Sequence, residues 1–481
     1  MKSGFISFIL LLFVLLAVSA FYGYPSILHA LPQGSHLWRQ TYSMDMVLNY
    51  KLYHLPFLQP EVSNLLSTDG KAAAEFPLLY FISAKFNQPE FALRLMHSIL
   101  FISGIIAAFY IAFHFLRDYL LSFFTAMLLF SSPLLVFYGN NFLTDVPALS
   151  ITYIAWAVYL YAPESKFKLL YYSSFFLLIS LSCLLKASQA INYGILAVLI
   201  IFQPNALLKK PVYIFILMLT LLPIYWWYTY AKEYNIESHH TYFFLGTSPI
   251  WKLSWYDIGL TAWRILVSWS KSYFWRPTSI LLILCFFLYQ KYRKRIFKEL
   301  HLFVLSSFVF TVAYIILFYE RLMKHEYYYI TFYIFVLFWI VAILYICKRF
   351  YGEIISWIKV FLVCLLLVNI IYCKLYTAEK QTDTHYNKNL ASDEMQHFLL
   401  SKGVSQFKTL ISIPDETPCQ TLYLIKRKGY TEFNNYREVL ENKEADFLIL
   451  TDEAWKEKAS LKPYLNDSIG NFHGITLYKL K

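Results

Sequence analysis

The chain has 481 residues; 58% are apolar, only 15% are charged, and the formal charge is +12. Soluble domains carry about 25% charged residues, so a chain built of soluble domains alone is excluded, and the 20% of aromatic residues suits belts at a bilayer interface. The positive charge does not point to nucleic acid, because outside the C-terminal region most Lys and Arg stand in short loops between apolar runs, the pattern that orients a membrane protein.

In chain order, the first apolar stretch (5–20) follows Lys2. Val18-Ser19-Ala20 has the form of a signal-peptide cleavage site. Large aromatics (Phe21, Tyr22, Tyr24) follow it at once and many apolar runs come later, so an uncleaved first helix is expected. A long loop, 24–90, comes next; within it, 76–86 is apolar but too short to cross a bilayer and reads as an interfacial or re-entrant piece. With the first helix at 5–23, further spans are expected at 91–115, 119–138, 146–162, 169–185, 189–203, 211–230, 278–290, 301–319, 328–347 and 358–376, about eleven in all.

With the N-terminus in the cytoplasm, Arg117, Lys166 and Lys168, Lys209 and Lys210, the 291–298 run and the 348–359 run all fall on the cytoplasmic side. With Lys2 they amount to about fourteen basic residues against about four acids, and five separate loops agree on the orientation. The long segments 24–90, 231–277 and everything after 377 then face the outer, periplasmic side of a plasma membrane. From 377 the charge rises, and short β-type runs (409–413, 421–425, 447–451, 475–480) alternate with helix-like stretches (392–401, 436–443). The expected organisation is a polytopic α-helical membrane domain, 1–376, and a small α/β soluble domain, 377–481. The 426–429 turn, Lys-Arg-Lys-Gly, reads as a solvated basic turn. Cys183, Cys285, Cys347, Cys364 and Cys373 lie in or beside apolar segments and Cys419 stands alone, so neither a disulfide framework nor a metal site through Cys is expected.

Chemistry-bearing residues collect on the outer side. The first loop holds His36-Leu37-Trp38-Arg39-Gln40, then Asp45, then Glu75-Phe76-Pro77-Leu78. Trp38 and Arg39 suit interfacial anchoring, and Glu75 a helix start before Pro77. Thr144-Asp145-Val146-Pro147 opens a span; capping and catalysis are both compatible with Asp145. Lys186 closes a span on the same side, as a snorkelling side chain or a phosphate ligand. His325 opens another, beside Arg321 and Lys324, as an interfacial polar group or a base. Charged groups beside lipid are costly unless they have a partner or a task. Together, acids that accept a hydroxyl proton and cations that hold a phosphate suit transfer of a sugar from a lipid-phosphate donor.

At these residues the sequence resembles the GT-C membrane glycosyltransferases, in particular the bacterial branch of the dolichyl-phosphate-mannose–protein mannosyltransferase family that includes the aminoarabinose transferases. The motifs that carry the resemblance are 36–40, 75–78 and 144–149. Residues 422–433 also look like the tail of a bacterial subgroup. The resemblance implies inverting transfer of a hexosyl or pentosyl group from a polyprenyl-phosphate sugar, with a catalytic acid in the first outer loop and another at the start of the fourth span. By motif match these acids fall in the 38–45 region and at Asp145, and Glu75 matches the 75–78 motif; on that basis Asp45 or Asp145 is expected as base, Glu75 to position sugar or acceptor, and Arg39 and Lys186, with His325 in support, to hold the donor phosphate. The class varies in its need for a divalent metal. Tyr42 stands where the subgroup has Asp. Asp45 substitutes for it only if the segment is helical, because positions three apart share a helix face and oppose each other on a strand.

The expected acceptor is a hydroxyl on a lipid, glycan or protein. A lipid-linked glycan polymerase or ligase is the enzymatic rival, although its large outer loop usually comes late. A lipid or sugar transporter is the non-enzymatic rival, but it calls for mid-span charges and paired halves.

Overall fold

The computed structural model describes residues 2–65, 69–202, 211–237, 246–382, 387–434, 436–442 and 444–481. Lys209, Lys210 and the end of the 436–443 stretch lie outside the described residues. Among the described residues, seven helices are long and apolar enough to cross a membrane: Pro89–Leu116, Asp145–Glu164, Lys168–Leu185, Pro211–Glu237, Lys298–Leu317, Glu326–Phe350 and Gly352–Thr382. Two bent pairs raise the number to nine, and the shorter apolar helices Ile6–Tyr22 and Ala187–Phe202 fall on the other two expected spans. The protein is a multi-pass membrane protein. One bent pair, Tyr119–Leu129 with Pro133–Gly139, turns by 69°. Pro133 causes the break, since it has no N–H to donate and its ring clashes with the preceding turn. The 76–86 piece contains the helix Leu78–Ala84, which at seven residues and about 10 Å cannot cross a bilayer.

The chain forms two compact units: Met1–Leu28 with Arg94–Trp227 and Gly246–Lys380, and His29–Leu93 with Tyr228–Leu245 and Gln381–Lys481. In the first unit the most apolar 18 residues of Glu326–Phe350 are 78% buried and those of Asp145–Glu164 72%, whereas those of Gly352–Thr382 are 17% buried, so the first two form the centre and the last a lipid-facing periphery. Gly104 lets two helices touch: a side-chain carbon there would lie 2.6 Å from Ser150 Cβ. Close approach at small residues is how helices pack where lipid supplies no hydrophobic drive.

The second unit contains a five-stranded sheet: β1 (Leu410–Ile413), β2 (Gly429–Thr431), β3 (Phe447–Leu450), β4 (Ser468–Phe472) and β5 (Ile475–Lys479), in the order β2-β1-β3-β5-β4. β1, β2 and β3 are parallel and β5 runs antiparallel to both its neighbours. The buried β1 and β3, apolar but for Ser412, fit a parallel sheet covered on both faces. His473 and Gly474, both at positive φ, make the two-residue turn between β4 and β5. Leu65 and Ser63 of the first loop hydrogen-bond to Gly429 at the edge of β2.

Two sequence expectations are corrected here. The apolar run 421–425 is not a strand but part of the helix Gln420–Ile425. Asp415 and Thr417 decide this, because their side chains accept the N–H groups of Thr421 and Gln420 at the helix start. The basic turn is solvated only in part, at the exposed Lys426. Lys426 ends that helix at φ +54, Arg427 is 4% exposed with its guanidinium on the Val404 carbonyl and Gln396, and Lys428 is ion-paired with Glu61.

Candidate active site

In the second unit the 36–53 segment is helical (Leu37–Tyr53), so positions 42 and 45 share a face. Arg39 is 4% exposed and its Nη2 reaches both carboxylate oxygens of Glu75, a charge-assisted contact that holds the loop segment against the helix. The Arg39 guanidinium also lies 5.3 Å from the centre of the Tyr42 ring. Two residues before Glu75, Ala73 is pinned by both ends of the Asn235 amide, at 2.7 Å each.

Asp45 is fully buried. One of its oxygens accepts from the Ser63 amide at 2.6 Å and the other from the Ser63 hydroxyl at 2.5 Å. Asn49 Nδ2 lies at 3.4 Å, and the Cys419 thiol also donates to the carboxylate. Burial pushes the Asp45 carboxyl up to about 7, against the opposing pull of the Ser63 and Cys419 bonds and the Lys428 charge. Asp45 therefore ties the helix to the 61–65 loop and to the start of the Gln420–Ile425 helix.

In the first unit the predicted residues Asp145, Lys186 and His325 come together. Asp145 begins its helix; the preceding Thr144 gives its hydroxyl to the Leu185 carbonyl at 3.0 Å instead of capping. Leu185 ends the Lys168–Leu185 helix, and Lys186 follows it in extended backbone, which returns the ammonium to both Asp145 oxygens at 3.0 and 3.1 Å. The same ammonium lies 5.2 Å from the Tyr327 ring centre and 5.8 Å from that of Tyr328. His325 stacks on those two rings at 5.3 and 5.9 Å. Arg321 and Lys324 do not join this group: Arg321 Nε donates to Ser248, and Lys324 pairs with Glu320 at the surface.

Sequence reasoning passed over several members of this region. Glu326, 1% exposed, is ion-paired with Lys380 and also accepts from Tyr138 Oη at 3.1 Å and Ser272 Oγ at 3.2 Å. Tyr138 in turn packs edge-on against Tyr327. Upstream of Asp145, Arg94 donates to the Asn140 carbonyl and stacks on Phe142, His97 Nδ1 lies 2.8 Å from the Asn141 carbonyl, and Ser98 donates to the Asn140 side chain. These three residues clamp the 140–142 turn that leads into Asp145. The readable signal was an Arg and a His three residues apart within an apolar span, where ionisable groups are expensive.

Among the described residues no group of three or more His, Cys, Asp or Glu side chains is placed to hold a metal ion. Three acidic residues of these groups stand beside a cation, Glu75 beside Arg39 in the second unit, and Asp145 beside Lys186 and Glu326 beside Lys380 in the first: carboxylates able to take a proton, and ammonium and guanidinium groups able to neutralise a phosphate.

No family model matches the sequence, and no curated protein matches it. Solved structures do match in fold. The apo structure of ArnT from Cupriavidus metallidurans aligns over 100% of this chain and 98% of its own, with a TM-score of 0.64 at 11% identity. The oligosaccharyltransferase AglB from Archaeoglobus fulgidus, in complex with an inhibitory peptide and a dolichol-phosphate, aligns over 92% of this chain and 69% of its own, with a TM-score of 0.53 at 13% identity. That oligosaccharyltransferase has also been solved with zinc and sulfate. The mycobacterial arabinofuranosyltransferase AftD aligns over 97% of this chain but 40% of its own, with a TM-score of 0.54 at 8% identity. The chain has the fold of the GT-C membrane glycosyltransferases.

Proposed function

We propose that the protein is a glycosyltransferase that moves a hexosyl or pentosyl group, with inversion, from a polyprenyl-phosphate sugar to a hydroxyl on a lipid, glycan or protein at the outer face of the plasma membrane. The observation that carries this reading is the Asp145–Lys186 pair, a carboxylate and an ammonium held together at the ends of two spans and roofed by Tyr327, Tyr328 and His325, in a chain with the ArnT fold over its whole length. In this reading the Asp145 carboxylate takes the proton of the acceptor hydroxyl, the hydroxyl oxygen attacks the anomeric carbon, and the lipid phosphate leaves with the bonding electrons. Lys186, with His325 in support, neutralises the charge on that leaving group. From the sequence motifs alone, Arg39 is proposed for the donor phosphate and Glu75, which is paired with Arg39, for the sugar or the acceptor. Asp45 is the alternative base, but its carboxylate is bonded to Ser63 and Cys419 and no cation is ion-paired with it among the described residues, whereas Asp145 carries beside it the ammonium that a leaving phosphate needs. No step is assigned to a metal.

The test is donor turnover in lipid-reconstituted protein with a panel of undecaprenyl-phosphate sugars and candidate acceptors, following release of free lipid phosphate. Asp145→Asn is expected to lower turnover at least ~100-fold, the usual weight of a general base, while Asp45→Asn retains a larger share. The reverse order would move the base to Asp45. Absence of both turnover and donor binding in the wild type would end the transferase reading.

A further inference from the structure

Three helices of the first unit, Arg276–Tyr292, Lys298–Leu317 and Tyr333–Phe350, enclose a groove of about 680 Å³. Its walls are apolar, among them Leu282, Ile283, Phe286, Leu305 and Phe308. From Ser279 to Arg293 it follows about 21 Å of helix, roughly two-thirds of the ~30 Å hydrocarbon core. That shape and lining fit a single alkyl chain.

The groove's one charged side chain stands at one end, where Gln290, Arg293 and His301 line it, whereas the polar groups toward the other end are hydroxyls, those of Ser270, Tyr273, Ser279 and Tyr329. His301 Nδ1 and Tyr289 Oη are 2.7 Å apart, which fixes the imidazole there. Arg293 belongs to a basic turn of five Lys and Arg within 291–298. The salt bridges of this unit among the described residues join Arg117–Glu164, Lys186–Asp145, Lys324–Glu320, Lys359–Asp118 and Lys380–Glu326, and none uses that turn. An apolar channel opening onto a turn of five cations, with the one acid Glu299 beside them, is complementary to a lipid with an anionic head, and basic clusters next to a span attract such lipids. The Arg293 end lies at the far end of the Arg276–Tyr292 helix from Glu326, the chain neighbour of His325. Ser272, which donates to Glu326, precedes the Arg276–Tyr292 helix, and Arg293 follows it. A phosphate seated on Arg293 is therefore about 25 Å of helix away from Glu326.

We propose that this groove is a binding site for an anionic glycerophospholipid, with one acyl chain between the three helices and the phosphate on Arg293 and the 291–298 turn. The site does not depend on the transferase reading.

Trp339 lines the groove and reports on it. The full chain is reconstituted with phosphatidylglycerol or phosphatidylcholine carrying brominated chains, and quenching of Trp339 is taken as the difference between wild type and Trp339→Phe. Retained phospholipid is counted in parallel by mass spectrometry of the detergent-purified wild type and Arg293→Gln. Phosphatidylglycerol is expected to quench at lower mole fraction than phosphatidylcholine, and Arg293→Gln to weaken its retention about fivefold, the effect of one Arg near a lipid phosphate. Equal quenching by the two lipids would reduce the groove to ordinary boundary lipid and overturn the proposal. Relief of quenching by unbrominated undecaprenyl phosphate, unchanged in Arg293→Gln, would overturn it as well by assigning the groove to an isoprenoid tail.

Discussion

Asp45 shows how burial changes what a residue does. Helical periodicity puts it on the face that Tyr42 occupies, yet the carboxylate is enclosed by Ser63, Asn49 and Cys419. A carboxyl raised from 3.8 to about 7 in the folded protein binds its proton more tightly there than in the unfolded chain. Its contribution to stability is thus complete below pH ~4 and disappears as the pH rises through 7, with about 4 kcal/mol at stake at most. Hydrogen exchange of the 61–65 backbone is expected to be slower at pH 5.5 than at pH 8 after correction for the intrinsic rate, and Asp45→Asn to abolish the difference. A difference that survives in Asp45→Asn would show that a group other than Asp45 titrates there, since burial pushes both neighbouring groups, the Cys419 thiol and the Tyr53 phenol, above this pH range.

At the scale of elements, the buried pair Glu326–Lys380 holds the start of one span against the end of another, with Tyr138 and Ser272 completing the carboxylate's bonds. Removing one member of such a pair leaves an uncompensated buried charge and costs about 3–5 kcal/mol, whereas replacing both with uncharged groups of similar volume is often close to neutral. Lys380→Met alone is expected to lower the thermal midpoint markedly in detergent. The double variant Lys380→Met with Glu326→Gln is expected to recover most of the loss. Failure of the double variant to recover would show that the hydrogen bonds from Tyr138 and Ser272, and not the ion pair, hold this junction.

At the scale of the whole molecule, the distribution of basic residues predicts that the C-terminal domain and the Asp145 end of its span lie outside the cytoplasm. A reporter that is active only in the periplasm, fused after Lys481, is expected to be active. A reporter inserted in the 293–295 turn is expected to be active only if it functions in the cytoplasm. The opposite pattern would invert the membrane assignment without altering the fold.

The apolar spans were legible because a bilayer demands about twenty apolar residues per helix, and composition alone records that demand. Asp145, Lys186 and His325 were legible because charge at a span end is conspicuous. By itself the sequence determined that the chain crosses a membrane many times, that charged groups stand at particular span ends, and that a small α/β region follows. Tertiary structure alone decided the partners. It joined Asp145 to Lys186 across two helices, matched Glu326 with Lys380 over more than fifty residues, enclosed Asp45 behind Ser63, and turned 421–425 into a helix. Period and composition are local properties of a chain, whereas an ion pair or a cap is made by side chains that only packing brings within 3 Å, and no local pattern encodes that distance.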